Sequence, residues 1–210
     1  MSLFPIIHLE GLDLSGKTSV AYKILEKKES WVRRYTTLLE KIEYNPFLMK
    51  ADGLNNSESP DEYSLFELYY QAMVYDTENI PAQTSPLIQD STILVRSLAG
   101  LSVSEYSESD LLEKMLDVGK KYPSFSCSII LTCSHKARLK RLNHRRSNLK
   151  PGERLVKDDL LVESDPQKFF AKEATLVEYS QLIFGSEILD TSDMTIEEVS
   201  EYILSKLNFS

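Results

Sequence analysis

The chain has 210 residues, 42% hydrophobic and 27% charged, which is enough apolar material for one α/β domain with a substantial core. A formal net charge of −8 argues against general nucleic-acid or anionic-membrane binding, because a phosphate polymer is repelled by most of such a surface. Residues 136–157 break that balance, holding nine of the 24 Lys and Arg and one acid, Glu153, so a local basic element sits on an acidic body.

The first apolar run, Phe4-Pro5-Ile6-Ile7-His8-Leu9, has strand length and leads into Glu10-Gly11-Leu12-Asp13-Leu14-Ser15-Gly16-Lys17-Thr18. A helical pattern follows at Ser19-Val20-Ala21 and runs to about Lys28. Strand, Gly-x-x-x-x-Gly-Lys-Thr and helix in that order form a phosphate-binding loop. Its two glycines let backbone N–H groups converge on an anion, and the helix aims its positive dipole end at the same point. Residues Gly11, Leu12, Asp13, Leu14, Ser15, Gly16, Lys17 and Thr18 are therefore expected to hold a nucleotide or similar polyphosphate. Lys17 reaches the β- and γ-phosphates, and Thr18 offers its hydroxyl to magnesium. Asp13, a carboxylate beside bound phosphates, is expected to meet a cation or an acceptor hydroxyl. Glu10 reads as support for the strand end.

A second strand is expected over Ser30–Leu38, mixed in polarity and near an edge. Residues 39–56 read as a short helix flanked by loop, punctuated by Asn45-Pro46 and Asp52-Gly53. Ser59-Pro60-Asp61-Glu62 has the form of a capping box opening a helix from about Pro60 to Ile80. Its Phe66, Tyr69 and Tyr70 make a core stripe and are also candidates to stack a substrate base. Pro86–Asp90 is a third strand ending in a carboxylate, where parallel sheets present their chemistry. Asp90 is a candidate to hold magnesium or accept a proton, with a plain helix cap as the alternative. The stretch Ser91–Gly100 carries Arg96. Another amphipathic helix spans about Ser109–Lys121, and Phe125–Cys133 is a fourth strand.

A basic helix follows, broken near Pro151-Gly152, and residues 145–163 read as a mobile polar loop. The segment 141–163 is the expected lid, with Arg141, Arg145 and Arg146 poised to neutralise phosphate charge. The other reading of this cluster is a solvated basic face. Asp165 to about Ile183 is a helix, Glu187–Asp190 a fifth strand, and Thr195-x-x-Glu198 caps a last helix. Cys127 and Cys133 read as buried thiols, and the three histidines show no metal spacing. Neither a leader pattern nor a run of about 18 apolar residues is found, so the expected location is cytoplasmic.

Five strands alternating with helices predict an α/β fold, a parallel sheet covered on both faces, formed as a single domain over residues 1–210. Leu9–Thr18 resembles the loop of the thymidylate kinase family of P-loop nucleoside monophosphate kinases. The resemblance extends loosely, in order, through Leu65-Phe66, Asp90, the basic lid, Asp159–Glu163 and Phe169-Phe170. It implies a three-layer P-loop kinase fold, ATP and Mg²⁺ at the loop, a nucleoside monophosphate as the small-molecule phosphate acceptor, and a homodimer. Three positions depart from the family pattern. Asp90 is followed by Ser91 rather than arginine, with Arg96 as the nearest substitute. The Arg-Glu-Pro segment is missing from Tyr35-Thr36-Thr37-Leu38, and residues 60–80 contain no Arg or Lys. An uncharged acceptor, a nucleoside or another small hydroxyl compound, is therefore a second reading, with Asp13 or Asp90 as base. A non-catalytic nucleotide-binding protein is a third. A GTP-binding switch is a fourth, against which stands the absence of an Asn-Lys-x-Asp guanine reader.

Overall fold

The strand that leads into the phosphate-binding loop, β1 (Ile6–Glu10), is buried at all five positions. Burial on both faces is what a central strand of a parallel sheet requires, and it explains the run Ile6-Ile7-His8-Leu9 without alternation. The computed structural model describes residues 4–35, 45–55, 61–79, 85–102, 104–150, 152, 154–155 and 157–209. The readings at 36–44, at Asn56, at Ser59-Pro60, at Ile80 and at Pro151 and Glu153 lie outside the described residues.

Four further strands flank β1: β2 (Val32–Tyr35), β3 (Leu87–Asp90), β4 (Cys127–Thr132) and β5 (Glu187–Asp190). They form one five-stranded sheet in the order β2-β3-β1-β4-β5, parallel throughout. The second strand lies at an edge, as its mixed polarity predicts. Leu9 is level with Asp90 on one side and Ile129 on the other, so the carboxyl ends of β1, β3 and β4 open at one rim. That rim is where a parallel α/β sheet places its ligand.

Side chains alternate between two apolar layers. Ile7, Leu9, Ile88 and Ile129 pack on α1 (Lys17–Lys27) and α9 (Ile196–Ser205). Ile6 and Leu87 face α3 (Glu62–Asn79), α4 (Ile93–Leu101) and α5 (Asp110–Gly119). A third cluster under the loop joins Leu12 and Leu14 to Val95, Leu142, Val162 and Phe169. Each such side chain contributes roughly 1.5–3 kcal/mol when fully buried. A short α2 (Pro46–Asn55) lies within the segment read as helix and loop. No helix among the described residues is long and apolar enough to cross a membrane.

Two stretches differ from the sequence reading. Ser91–Gly100, left without an element in the sequence, holds all but the last residue of α4, whose Ile93, Leu94, Val95, Leu98, Ala99 and Leu101 are all buried. A mostly apolar run this short, flanked by Ser and Thr, does not distinguish helix from strand by its composition. Residues 145–163 are not a mobile loop over most of their described length: α6 (His135–Ser147) extends into them, and α7 (Lys157–Ser164) is helical. Val162 inserts beside Leu142 and Phe169, and the buried Asp159 pairs with Arg145, which ties α7 to its neighbouring helices. The long helix α3 is present as expected, with Asp61 Oδ2 accepting from the Ser64 N–H at 3.3 Å ahead of its first turn. The remaining large helix, α8 (Pro166–Phe184), starts at a proline preceded by Asp165, whose Oδ1 accepts from the Lys168 N–H.

Candidate active site

The loop between β1 and α1 is shaped by glycines that no other residue replaces without strain. Gly11 has φ +141°, and a Cβ there would collide with the Leu131 carbonyl and Ser15 Oγ. Gly16, at φ +99°, leaves the start of α1 without a side-chain cap, so its first N–H groups remain for a ligand. Arginines hold the carbonyl side of the loop. Arg138, fully buried over the Phe169 ring and paired with Glu173, donates to the Asp13 carbonyl at 2.6 Å. Arg141 donates to the Leu14 and Ser15 carbonyls at 2.9 and 3.0 Å and to the Thr191 carbonyl at 2.7 Å.

The Lys17 ammonium is buried within the loop, donating to the Gly11 carbonyl. Burial pushes its pKa down and Arg96 adds to this, against the pull of Asp90, Asp13 and Glu10. Asp13 is partly buried; burial raises its pKa, but Lys17, Arg96 and Arg145 together bring it below the ordinary value. Glu10 does support the strand end. Its carboxylate accepts from the Gly11 N–H at 3.0 Å, the Ser91 hydroxyl at 2.8 Å and the Thr92 N–H at 3.1 Å. Burial opposes its charge, yet His8, whose Nε2 stands 3.7 Å from the carboxylate, and the charges of Arg96 and Lys17 bring its pKa to about 2.

Asp90 ends β3 at the rim and is 4% exposed. The cap of α4 is Thr92, whose hydroxyl accepts from the Val95 N–H, so Asp90 is left for other work. Its Oδ2 accepts from Arg33 Nε at 3.0 Å and from Arg33 Nη2, and the same Nη2 donates to Thr18 Oγ1 at 3.2 Å. Sequence reasoning missed Arg33. The signal was there in Val32-Arg33-Arg34-Tyr35: in a strand, two consecutive arginines point to opposite faces. Arg34 duly turns the other way, onto Asp76 at 2.6 Å. Ser91, which replaces the expected arginine, has φ +65° and gives its hydroxyl to Glu10. Arg96, in the first turn of α4, reaches the loop, its Nη2 3.4 Å from the Gly11 carbonyl and its Nε 3.7 Å from Glu10.

A cleft of about 670 Å³ opens over the loop, within the size range of small-molecule sites. It is lined by Leu12 to Val20, by Lys140, Arg141, His144 and Arg145 of α6, and by Thr191, Ser192 and Thr195. The loop between β5 and α9 was not singled out from the sequence, where only its capping box is visible. Arg145 stands on the cleft wall, its Nη1 donating to both carboxylate oxygens of Asp159 at 2.7 and 2.8 Å. Arg146 is turned outward onto Glu163 and does not line the cleft. Phe66 is buried in the layer on α3, α4 and α5, with Tyr69 and Tyr70 packed against it, and none of the three lines this cleft. Cys127 and Cys133 are buried free thiols.

No family model and no curated protein sequence matches the chain. Among solved structures, thymidylate kinase from Candida albicans is similar over 98% of this chain and 91% of its own, with 17% identity and a TM-score of 0.65. Deoxyadenosine kinase from M. mycoides, with dCMP and dCDP bound, is similar over 97% and 98%, with 17% identity and a TM-score of 0.58. The YorR protein from Bacillus subtilis, in complex with phosphorylated GDP, is similar over 97% and 95%, with 16% identity and a TM-score of 0.53. A phosphate-binding loop on the first strand of a 2-3-1-4-5 parallel sheet, together with these likenesses, gives the chain the fold of the thymidylate kinase-like P-loop kinases, in a sequence far diverged from theirs.

Proposed function

We propose that the protein transfers the γ-phosphoryl group of ATP to a nucleoside monophosphate. The observation that carries the reading is the cleft itself: an uncapped helix N-terminus, a lysine and a glycine-shaped loop converge on a space of nucleotide size. ATP lies with its phosphates on Gly11–Thr18 and its base toward Thr191–Thr195. Lys17 and Arg145 stabilise charge spreading onto the transferred group, and closure of residues 141–163 over the phosphates keeps water from taking it. Asp13 contacts the acceptor or the phosphates' counter-ion. The Thr18 hydroxyl and the Asp90 carboxylate are oxygen donors of the kind a magnesium ion takes, and these two residues would hold it. The ion, when bound, neutralises charge between the β- and γ-phosphates.

The acceptor side is less short of positive charge than the sequence suggests, since Arg33 and Arg96 both stand at the rim beside Asp90 and Gly11. This favours an anionic acceptor. An uncharged acceptor is the second reading, favoured by the pairing of Arg33 and Arg34 with the buried carboxylates Asp90 and Asp76. Tyr69 and Tyr70, half-buried, remain candidates for the acceptor's base, with Phe66 buried beside them. An ATP-consumption screen with Mg²⁺ against nucleoside monophosphates, nucleosides and small hydroxyl compounds decides. Turnover with a monophosphate supports the first reading; turnover only with an uncharged compound supports the second. ATP binding without turnover on any of them defeats both.

A further inference from the structure

Two of the oxygens read as magnesium donors, Thr18 Oγ1 and Asp90 Oδ2, share one neighbour. Arg33 Nη2 donates to Thr18 Oγ1 at 3.2 Å and to Asp90 Oδ2, while Arg33 Nε donates to the same Oδ2 at 3.0 Å. Arg33 and Asp90 are each 4% exposed, and the guanidinium carbon stands 4.8 Å from the centre of the Tyr22 ring. A tethered cation is thus clamped between a ring on α1 and the two oxygens, out of water.

A hard divalent ion binds hydroxyl and carboxylate oxygens at about 2.0–2.1 Å and tolerates little departure from octahedral geometry. A guanidinium N–H needs about 2.7–3.2 Å to the same oxygens. The two cations cannot use the same point, and each repels the other. From these two donor residues a free ion gains too little to break a buried, charge-assisted pair. Nucleotide phosphates change the balance: they bring further oxygen donors for the ion and an anionic partner for the displaced guanidinium.

We propose that Arg33 is a built-in cation that holds the seat between Thr18 and Asp90 in the nucleotide-free protein and yields it only to a divalent ion arriving with nucleotide phosphates. The proposal rests on the kinase reading above and adds a binding order to it: metal and nucleotide enter as one unit. It also gives the arginine of the edge strand a role beyond stapling β2 to β3.

The test uses Mn²⁺ as the probe, with free ion followed by electron paramagnetic resonance and heat by calorimetry, on the full chain without nucleotide. Wild type is expected to bind Mn²⁺ only weakly, and to bind it strongly once ADP is present. Arg33→Gln, neutral but still able to hydrogen-bond, should bind Mn²⁺ at least about tenfold more tightly than wild type without nucleotide. Arg33→Lys, which keeps the charge, should stay within about threefold of wild type. Asp90→Asn added to Arg33→Gln should abolish the gain and so locate the ion. Tight Mn²⁺ binding by the nucleotide-free wild type overturns the proposal, and this arm needs no variant to fold. An unchanged or weaker affinity in folded Arg33→Gln also overturns it, because an arginine that merely braces the donors would give that result. If wild type binds Mn·ADP while either overturning result is found, the seat is refuted and the kinase reading stands. Failure to bind ADP under any condition refutes both.

Discussion

Two residues of the loop separate chemistry from folding, and substitutions tell them apart. Lys17 is buried with its pKa pushed down by burial, so its charge costs the fold free energy while serving the phosphates. Lys17→Met should therefore lower turnover by roughly a hundredfold or more and leave the melting temperature unchanged or higher. Steady-state kinetics beside a thermal melt checks this, and turnover within threefold of wild type would remove Lys17 from the mechanism. Gly11 is the opposite case. At φ +141° with the Leu131 carbonyl where a Cβ would stand, Gly11→Ala must move a backbone strand end. It should destabilise the protein by about 2 kcal/mol or more, read as a lowered urea midpoint. A midpoint equal to wild type would mean that the loop shifts without cost.

At the level of elements, the sequence disclosed those whose signal is local and hid those stabilised from a distance. The β1–loop–α1 unit is legible because the glycine spacing has one structural meaning, and Thr195 with Glu198 forms the capping box that its spacing predicts. Strand β5 was likewise readable, though its sequence is only Glu187-Ile188-Leu189-Asp190. Helix α7 was not, because what holds it is Val162 under Phe169 and Asp159 on Arg145, partners supplied by α6 and α8. Arg33 was missed for the same reason: its partner Asp90 lies 57 residues away, and an edge strand of mixed polarity does not announce which arginine goes inward. Helix α4 escaped because a mostly apolar run of nine residues is short enough to read as strand or helix, although Thr92 marks its start. That cap sits in the core, its N–H on Glu10 and its hydroxyl on Val95. Thr92→Ala should cost about 1–2 kcal/mol by chemical denaturation; a cost near zero would show that Arg96 and the core layer hold α4 unaided. On the opposite wall, Arg145→Ala should reduce turnover at least about tenfold through loss of charge at the cleft. Unchanged kinetics in a folded Arg145→Ala would reduce its role to holding Asp159.

Across the whole molecule, buried carboxylates of opposite tendency should shape the response to acid. Glu10 is held at about pKa 2 in the folded protein against an ordinary 4.5. Its contribution to stability is present above about pH 4.5 and is lost as pH falls toward 2, a loss on the order of 3 kcal/mol. Asp76 and Glu173 run the other way: burial raises both pKa values despite Arg34 and Arg138. They penalise the fold above their raised pKa values, and that penalty is relieved as pH falls to the ordinary carboxylate range. Stability should thus hold or rise slightly from pH 7 into mild acid and then fall steeply between about pH 4.5 and 2. The steep arm belongs to the hydrogen-bonded carboxylate that joins β1, the loop and α4. Glu10→Gln should start from a lower stability, having replaced a charged acceptor of three donors, and should show a shallower decline below pH 4.5. Urea midpoints taken in steps from pH 7 to 3 measure both slopes. Parallel slopes in the two proteins would assign the acid arm to other carboxylates and leave Glu10 as a neutral brace.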